Sequence, residues 1–266
     1  MAARISFVNT LETLSDYVDE QGNAIESPTA YSRNISVTFS GKNNKIIVHP
    51  QANIGRLMVT FDGDNGTLRI GHHADTGWLQ ANIRVGEDST VEFGNNVSTT
   101  AICVISAVEG TTVRFGNDVM IASGNQFRAD DSHPIFDVKT GKRANPSKDI
   151  IIGNHVWFAF ESCALGGTVV GDGSVIGFRS VVMGEIPRNA VAVGTPAKVV
   201  RRSIAWERPH LSLTEPPYKT DASTVEKSPY WNFSPPVPVD TIPVRKLSLV
   251  ERAFLKLGYQ KITPTK

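Results

Sequence analysis

Ile152-Gly-Asn-His-Val-Trp157-Phe-Ala-Phe-Glu-Ser-Cys163-Ala-Leu-Gly-Gly-Thr-Val169-Val-Gly-Asp-Gly-Ser-Val175-Ile-Gly-Phe-Arg-Ser-Val181-Val182 is the stretch whose reading decides the fold. Apolar or small residues recur at every sixth position, at Ile152, Phe158, Ala164, Val170, Ile176 and Val182. Four residues after each of the first five stands a small or β-branched residue: Val156, Ser162, Thr168, Ser174 and Ser180. A helix needs a period near 3.6 and an isolated strand a period of 2, so neither accounts for a repeat of six. A solenoid does. Three short strands joined by tight turns make one triangular coil of eighteen residues, with the first residue of each hexad inside the prism. Glycine is expected to supply the turn dihedrals.

Working toward the N-terminus, the same motif recurs as Gly66-Thr-Leu-Arg-Ile-Gly71, Ser89-Thr-Val-Glu-Phe-Gly94, Thr111-Thr-Val-Arg-Phe-Gly116 and Asp149-Ile-Ile-Ile-Gly153. Gly71 to Gly94 is 23 residues, Gly94 to Gly116 is 22, Gly116 to Gly153 is 37, and Gly153 to Gly171 is 18. These spacings read as 18 plus inserted loops. Of the 22 glycines, 20 lie between Gly41 and Gly194, whereas 9 of the 15 prolines lie beyond residue 202. The chain therefore divides into an N-terminal segment (1–32), an all-β solenoid (33–202) and a Pro-rich extension (203–266). In the extension, Glu215-Pro-Pro-Tyr218 and Ser234-Pro-Pro-Val-Pro238 read as extended chain. Ser248-Leu-Val-Glu251 is a capping box opening one short amphipathic helix that exits at Gly258.

Charge and composition exclude several partners. With 27 basic and 26 acidic residues, the chain lacks the electrostatic footprint of a nucleic-acid binder. No run of eighteen apolar residues marks a membrane span, and the first residues carry no signal-peptide pattern. Cys103 and Cys163 form neither a disulfide framework nor a paired zinc motif, and they read as packing residues. A cytoplasmic location is expected.

The 37-residue interval exceeds one coil by 19, so a long loop leaves the prism and returns to it, with His133 at its middle. Long loops on rigid scaffolds commonly carry function. Imidazole can take a proton from an attacking hydroxyl and return one to a leaving thiolate. Asp130, Asp131 and Asp137 flank it, and one of them could orient the ring. His155, on the coil, reads as a solvated position.

Ile152-Gly-Asn-His-Val-Trp157, Val170-Gly-Asp-Gly-Ser-Val-Ile-Gly177 and Ile186-Pro-Arg-Asn-Ala-Val-Ala-Val-Gly-Thr-Pro-Ala-Lys-Val-Val200 resemble the hexapeptide-repeat acyltransferases. The period leaves handedness open, and crossover statistics favour a right-handed coil. The resemblance implies a left-handed parallel β-helix. Asp131-Ser-His-Pro-Ile-Phe-Asp137, Thr140-Gly-Lys-Arg-Ala-Asn145 and Ile204-Ala-Trp206 further resemble the branch that O-acetylates capsular and other surface polysaccharides. The likeness covers about residues 45–206.

That resemblance implies an acetyl-CoA-dependent O-acetyltransferase with His133 as base. Trp157 is implied as the indole that holds the thiol sulfur or the developing charge. It implies that Ala159, Phe160, Gly177, Phe178 and Arg179 border the cofactor, with Lys198 and Arg201 at its phosphates and Arg202 extending the patch. It also implies a homotrimer whose active sites lie between subunits, and no metal. Zinc in a γ-carbonic-anhydrase manner needs three histidines, two of them close in sequence, whereas His133 and His155 are 22 apart and His72-His73 lies coils away. Met183-Gly184 departs from the Thr-Lys usual in relatives. Phe160 and Phe178, 18 apart, replace small residues and should stack as an apolar wall beside the pantetheine arm. Two rival readings remain: the same fold acting on a small acceptor such as an antibiotic, serine or an amino sugar, and a non-catalytic β-helix scaffold.

Overall fold

The hexad period closes into three-sided coils in the computed structural model of the chain, which describes residues 9–27, 30–74 and 76–232. The first face runs from Ile35–Phe39 through Asn53–Phe61, Leu79–Val85, Cys103–Ala107, Gln126–Arg128 and Cys163–Leu165 to Val181–Val182. The second starts at Ala24–Glu26 and ends at Glu185–Ile186. The third is assembled from Ser98–Thr99, Met120–Ile121, Trp157–Phe158, Val175–Ile176 and Ala190–Gly194. Strands within a face pair in parallel, coil upon coil, as Thr90, Val91, Glu92 and Phe93 pair with Thr112, Val113, Arg114 and Phe115. Antiparallel strands finish each end: Asn9–Leu11 and Tyr17–Val18 at the start, Ala197–Arg202 at the close.

The six hexad leaders from Ile152 to Val182 are at most 1% exposed, and the four small hydroxyl residues from Ser162 to Ser180 are fully buried. Earlier coils are wider and filled by rings. Phe93 stacks on Phe115 at 5.0 Å, and Phe127 meets Phe115 at 4.7 Å and Phe158 at 4.9 Å edge to face. Each such ring removes apolar surface worth about 1.5–3 kcal/mol from water. The residues beyond eighteen are not simply looped out. Many lengthen the strands of the first face, which has nine residues at Asn53–Phe61 and seven at Leu79–Val85 against two at Val181–Val182.

The recurrent glycines act differently from the expectation. Gly71, Gly94, Gly116 and Gly153 do not supply left-handed turns. Their role is close stacking, since a Cβ on Gly94 would stand 2.6 Å from the carbonyl oxygen of Gly116. After Gly94, Gly116, Gly153 and Gly171 the left-handed φ falls two residues later, on Asn96, Asp118, His155 and Gly173, one above another. Between glycine and turn, Asn95, Asn117, Asn154 and Asp172 each accept the backbone N–H of the coil before, at 2.6–3.2 Å. A side-chain ladder thus bonds each corner to the next.

After Arg202 the chain turns back along this corner as an irregular strap, with single 3₁₀ turns at Leu211–Leu213 and Pro229–Trp231. The helix expected from Ser248 to Gly258 lies outside the described residues.

Candidate active site

The long loop leaves the edge between the first and second faces, after Gln126–Arg128, and rejoins at Ile150–Ile152. Two carboxylates of the scaffold anchor it. Asp130 is buried at the exit, where it accepts from the Ser106 hydroxyl and, at 2.9 Å, from the Ser132 N–H. Glu109, on the corner of the previous coil, accepts from Arg143 and, at 2.6 Å, from the Ser147 hydroxyl on the returning arm. Bonding to Arg143 and Ser147 drives the Glu109 carboxyl down to about 2. Within the loop, the Asn145 amide donates to Asp131 and to the His133 carbonyl, both at 2.9 Å, and accepts from the Ile135 N–H at 2.7 Å. Asn145 thereby fixes the backbone that presents His133.

His133 itself is exposed, and among the described residues its ring has no hydrogen-bond partner within this chain. None of the three flanking aspartates turns to it: Asp130 binds Ser106 and Ser132, Asp131 binds Asn145, and Asp137 caps a turn by accepting from Thr140 and Lys139. Those backbone and hydroxyl donors hold the Asp137 carboxyl below its ordinary value, Thr140 foremost. The His133 ring is therefore presented outward from the loop.

Trp157 lies on the third face, in a register column that runs Met120, Trp157, Val175, Val191 and then Arg201. At about 4.8 Å per strand, Arg201 is some 14 Å along the axis from Trp157. The third face lies opposite the edge from which the loop springs, so one chain does not bring His133 and Trp157 together. Ala159, Phe160, Gly177, Phe178 and Arg179 do come together, on the edge between the third and first faces. Phe160 and Phe178 stack as expected, at 5.5 Å and 16°, and are 40% and 60% exposed. Arg179 leans over the Phe178 ring at 5.1 Å while its Nε pairs with Glu161 at 2.5 Å. Lys198, opposite Val193 on the last strand, stands exposed near the end of this edge.

His155 corrects the expectation of a solvated ring, because it is 1% exposed. Its Nδ1 lies 2.5 Å from an Asp118 oxygen and its Nε2 lies 2.8 Å from the Trp206 carbonyl. The two contacts engage both ring nitrogens and fix the plane of the imidazole. Trp206 stacks on it at 4.1 Å, Tyr230 stacks at 4.6 Å, and the Trp206 indole N–H returns a bond to the His155 carbonyl at 3.0 Å. Arg208 completes the latch by donating to Asp118, Ser98 and the Asn96 carbonyl. Burial pushes the Asp118 carboxyl up, but the His155 bond and the Arg208 charge outweigh it and hold it below its ordinary value. Trp206 reaches the candidate site as well, since its ring lies 6.0 Å from that of Trp157. Burial pushes the Cys103 thiol up to about 12, which fits a packing residue.

No family model matches the chain. Among curated relatives it is 37% identical, over 48% of its length and 39% of the relative's, to a polysialic acid O-acetyltransferase of Escherichia coli. It is 33% identical, over 44% of its length and 64% of the relative's, to a putative lipopolysaccharide biosynthesis O-acetyltransferase of the same species. The matches thus span less than two thirds of these relatives. Among solved structures, the polysialic-acid-specific acetyltransferase NeuO superposes over 73% of this chain and 90% of its own, with a TM-score of 0.65 and 33% identity. The chain belongs to the hexapeptide-repeat acetyltransferase family, and its prism is the left-handed parallel β-helix of that family. Within it, the similarity falls on the branch that holds the polysialic acid and lipopolysaccharide O-acetyltransferases.

Proposed function

We propose that this chain is an acetyl-CoA-dependent O-acetyltransferase that acetylates a sugar hydroxyl of a surface polysaccharide or its precursor. The observation that carries the reading is His133, held outward with an unpartnered ring by a loop stapled at Asp130, Glu109 and Asn145. In this reading His133 takes the proton of the acceptor hydroxyl as its oxygen attacks the thioester carbonyl. The tetrahedral oxyanion then collapses, the C–S bond breaks, and the imidazolium proton passes to the departing thiolate. The Trp157 indole N–H donates to the sulfur or the oxyanion. No acyl-enzyme is invoked, as among the described residues no Ser or Cys is hydrogen-bonded to the His133 ring.

The donor lies along the edge that carries Ala159, Phe160, Gly177, Phe178 and Arg179, with its phosphates toward Lys198 and Arg201. Arg179 is the least available of these cations because Glu161 already pairs with it. The reading includes a homotrimer, since His133 and Trp157 sit on opposite sides of one prism and a second copy supplies what each lacks. Exposed apolar side chains on the loop support it: Ile135 and Phe136 are 56% exposed and Val138 is 97% exposed. A cytoplasmic location is in keeping with the two free thiols. No helix among the described residues is long and apolar enough to cross a membrane.

Mass spectrometry of a bacterial surface-glycan library incubated with the chain and acetyl-CoA tests the reading. The expected result is an added acetyl group on one glycan class. Thiol release should fall by about two to four decades in His133→Ala, the range for loss of a general base. Acetylated small acceptors with untouched glycans would transfer the reading to a small-molecule enzyme.

A further inference from the structure

The first face holds, at its N-terminal end, a feature that acetyl transfer does not use. A hollow of about 460 Å³ opens there, lined by Asn34, Ile35, Ser36, Arg56 and Met58, a volume within the range of small-ligand sites. Arg56 is the cation of that lining; Arg33 precedes Asn34 in the chain, and Trp78 packs on Gly55, the neighbour of Arg56. Among the described residues neither Arg33 nor Arg56 has a carboxylate partner, and Arg56 makes only a 3.7 Å contact with the Met58 sulfur. The Arg33 guanidinium lies 4.1 Å over the Trp78 ring, and Tyr31 tilts against that ring at 6.2 Å. Trp78 is 37% exposed and Tyr31 56% exposed. The aromatic seat is fitted to the backbone: a Cβ on Gly55 would stand 3.1 Å from the Trp78 Cβ, so glycine lets the indole settle on the strand, and the Asn34 amide bonds the Gly55 carbonyl at 3.3 Å.

We infer that the hollow between Asn34–Ser36 and Arg56–Met58 is a second saccharide site, which takes an anionic sugar residue of a polymeric acceptor away from the reacting hydroxyl. Two guanidinium groups without carboxylates suit a sugar carboxylate, which a planar fork binds through two parallel bonds. Beside them the Tyr31 ring, 56% exposed, offers an apolar surface to a neighbouring pyranose. Position argues for a polymer. The hollow lies on the face whose later strand, Gln126–Arg128, leads into the His133 loop, and Met58, Asn82, Val104 and Gln126 form one register column between them. Three strand spacings separate Met58 from Gln126, about 14 Å, which one sugar cannot span and a chain of sugars can. The inference deepens the glycan-acceptor reading above and rests on it.

Calorimetric titration of the full chain with a sialic acid oligomer of about eight residues, without acetyl-CoA, tests it. Binding is expected that weakens with salt and persists in His133→Ala. The Arg33→Gln/Arg56→Gln double variant should bind about tenfold or more weakly, as expected for lost hydrogen bonds to charged groups. Ser36→Trp, which fills the hollow and leaves both arginines, should cause a comparable loss. Unchanged thermal midpoints establish that the variants fold. Free sialic acid should bind far more weakly than the oligomer, and a dextran of matched length should not bind. Equal binding of dextran, unchanged binding by both variants, or no binding of the oligomer by the parent overturns the site. Since no donor or turnover enters the measurement, a chain that binds the oligomer yet acetylates nothing loses the proposed activity and keeps this site.

Discussion

Two edges of the prism are built on the same backbone and finished in opposite ways. Between the second and third faces, Asp118, His155 and Asn189 take the left-handed corner conformation, and each is claimed by the returning strap: Asp118 by Arg208, His155 by Trp206, and Asn189 by the carbonyls of Ile204 and Tyr230. Between the third and first faces, Glu161 and Arg179 take that conformation too, but they pair with one another and stay exposed beside Phe160 and Phe178. Corner geometry costs the same at both edges, about 1–2 kcal/mol for a non-glycine residue. What separates them is a partner from distant sequence. Polar corner residues that such a partner buries are structural, whereas aromatic corner residues left uncovered are where a ligand can lie.

The largest effect expected from that contrast is in stability. His155→Ala removes two buried hydrogen bonds and two ring stacks and leaves Asp118 short of a partner, a loss of about 3 kcal/mol. Phe178→Ala on the uncovered edge should change stability by less than about 0.5 kcal/mol. Urea unfolding of both variants decides the point, and equal losses would erase the distinction between the edges. Next in size is the proposed donor edge. Lys198→Ala and Arg201→Ala should each raise the KM for acetyl-CoA about tenfold, the worth of one charged contact, and spare the acceptor KM. If the 3′-dephospho donor shows the same penalty in both variants, neither cation meets that phosphate.

Acid should act on the covered edge through Asp118. A carboxyl depressed by folding contributes stability that is complete above its ordinary pKa and is lost as pH falls through the lower folded value. Asp118 is such a group. Melting temperature in the parent should therefore drop more steeply below about pH 4 than in Asp118→Asn. Parallel curves would remove Asp118 from the latch. The smallest effect concerns selectivity. Opening the stacked pair with Phe160→Ala/Phe178→Ala should shift the acetyl-to-propionyl transfer ratio by a few fold, the worth of about one methylene. An unaltered ratio places the rings away from the acyl group.

Periodic features were legible before any coordinates. The burial of Ile152 through Val182 and the stacking of Phe160 on Phe178 follow from spacings of 6 and 18 alone, because a solenoid turns sequence separation directly into position. The loop bearing His133 was legible as a departure from that period. His155 was not, since its role is set by Trp206, 51 residues later and beyond the last coil, where periodicity no longer maps sequence to space. Glu109 is not legible for a related reason, as its partners Arg143 and Ser147 belong to the aperiodic loop. The recurrent glycines stand out in the sequence, but their duty does not: crowding between coils, which no single coil reveals, requires them.

The antiparallel strands at the two ends carry a consequence for assembly in the cell. A stack of parallel coils offers at each end an unpaired strand edge of the same polarity, a template on which further copies could add to make a fibre. Asn9–Leu11 and Tyr17–Val18 reverse that polarity at one end. Ala197–Arg202 reverses it on the third face at the other, with exposed Lys198, Arg201 and Arg202 to repel an incoming strand. The charges proposed for the donor's phosphates would thus also oppose lengthwise growth of the solenoid, and replacing them together should reveal filaments by electron microscopy.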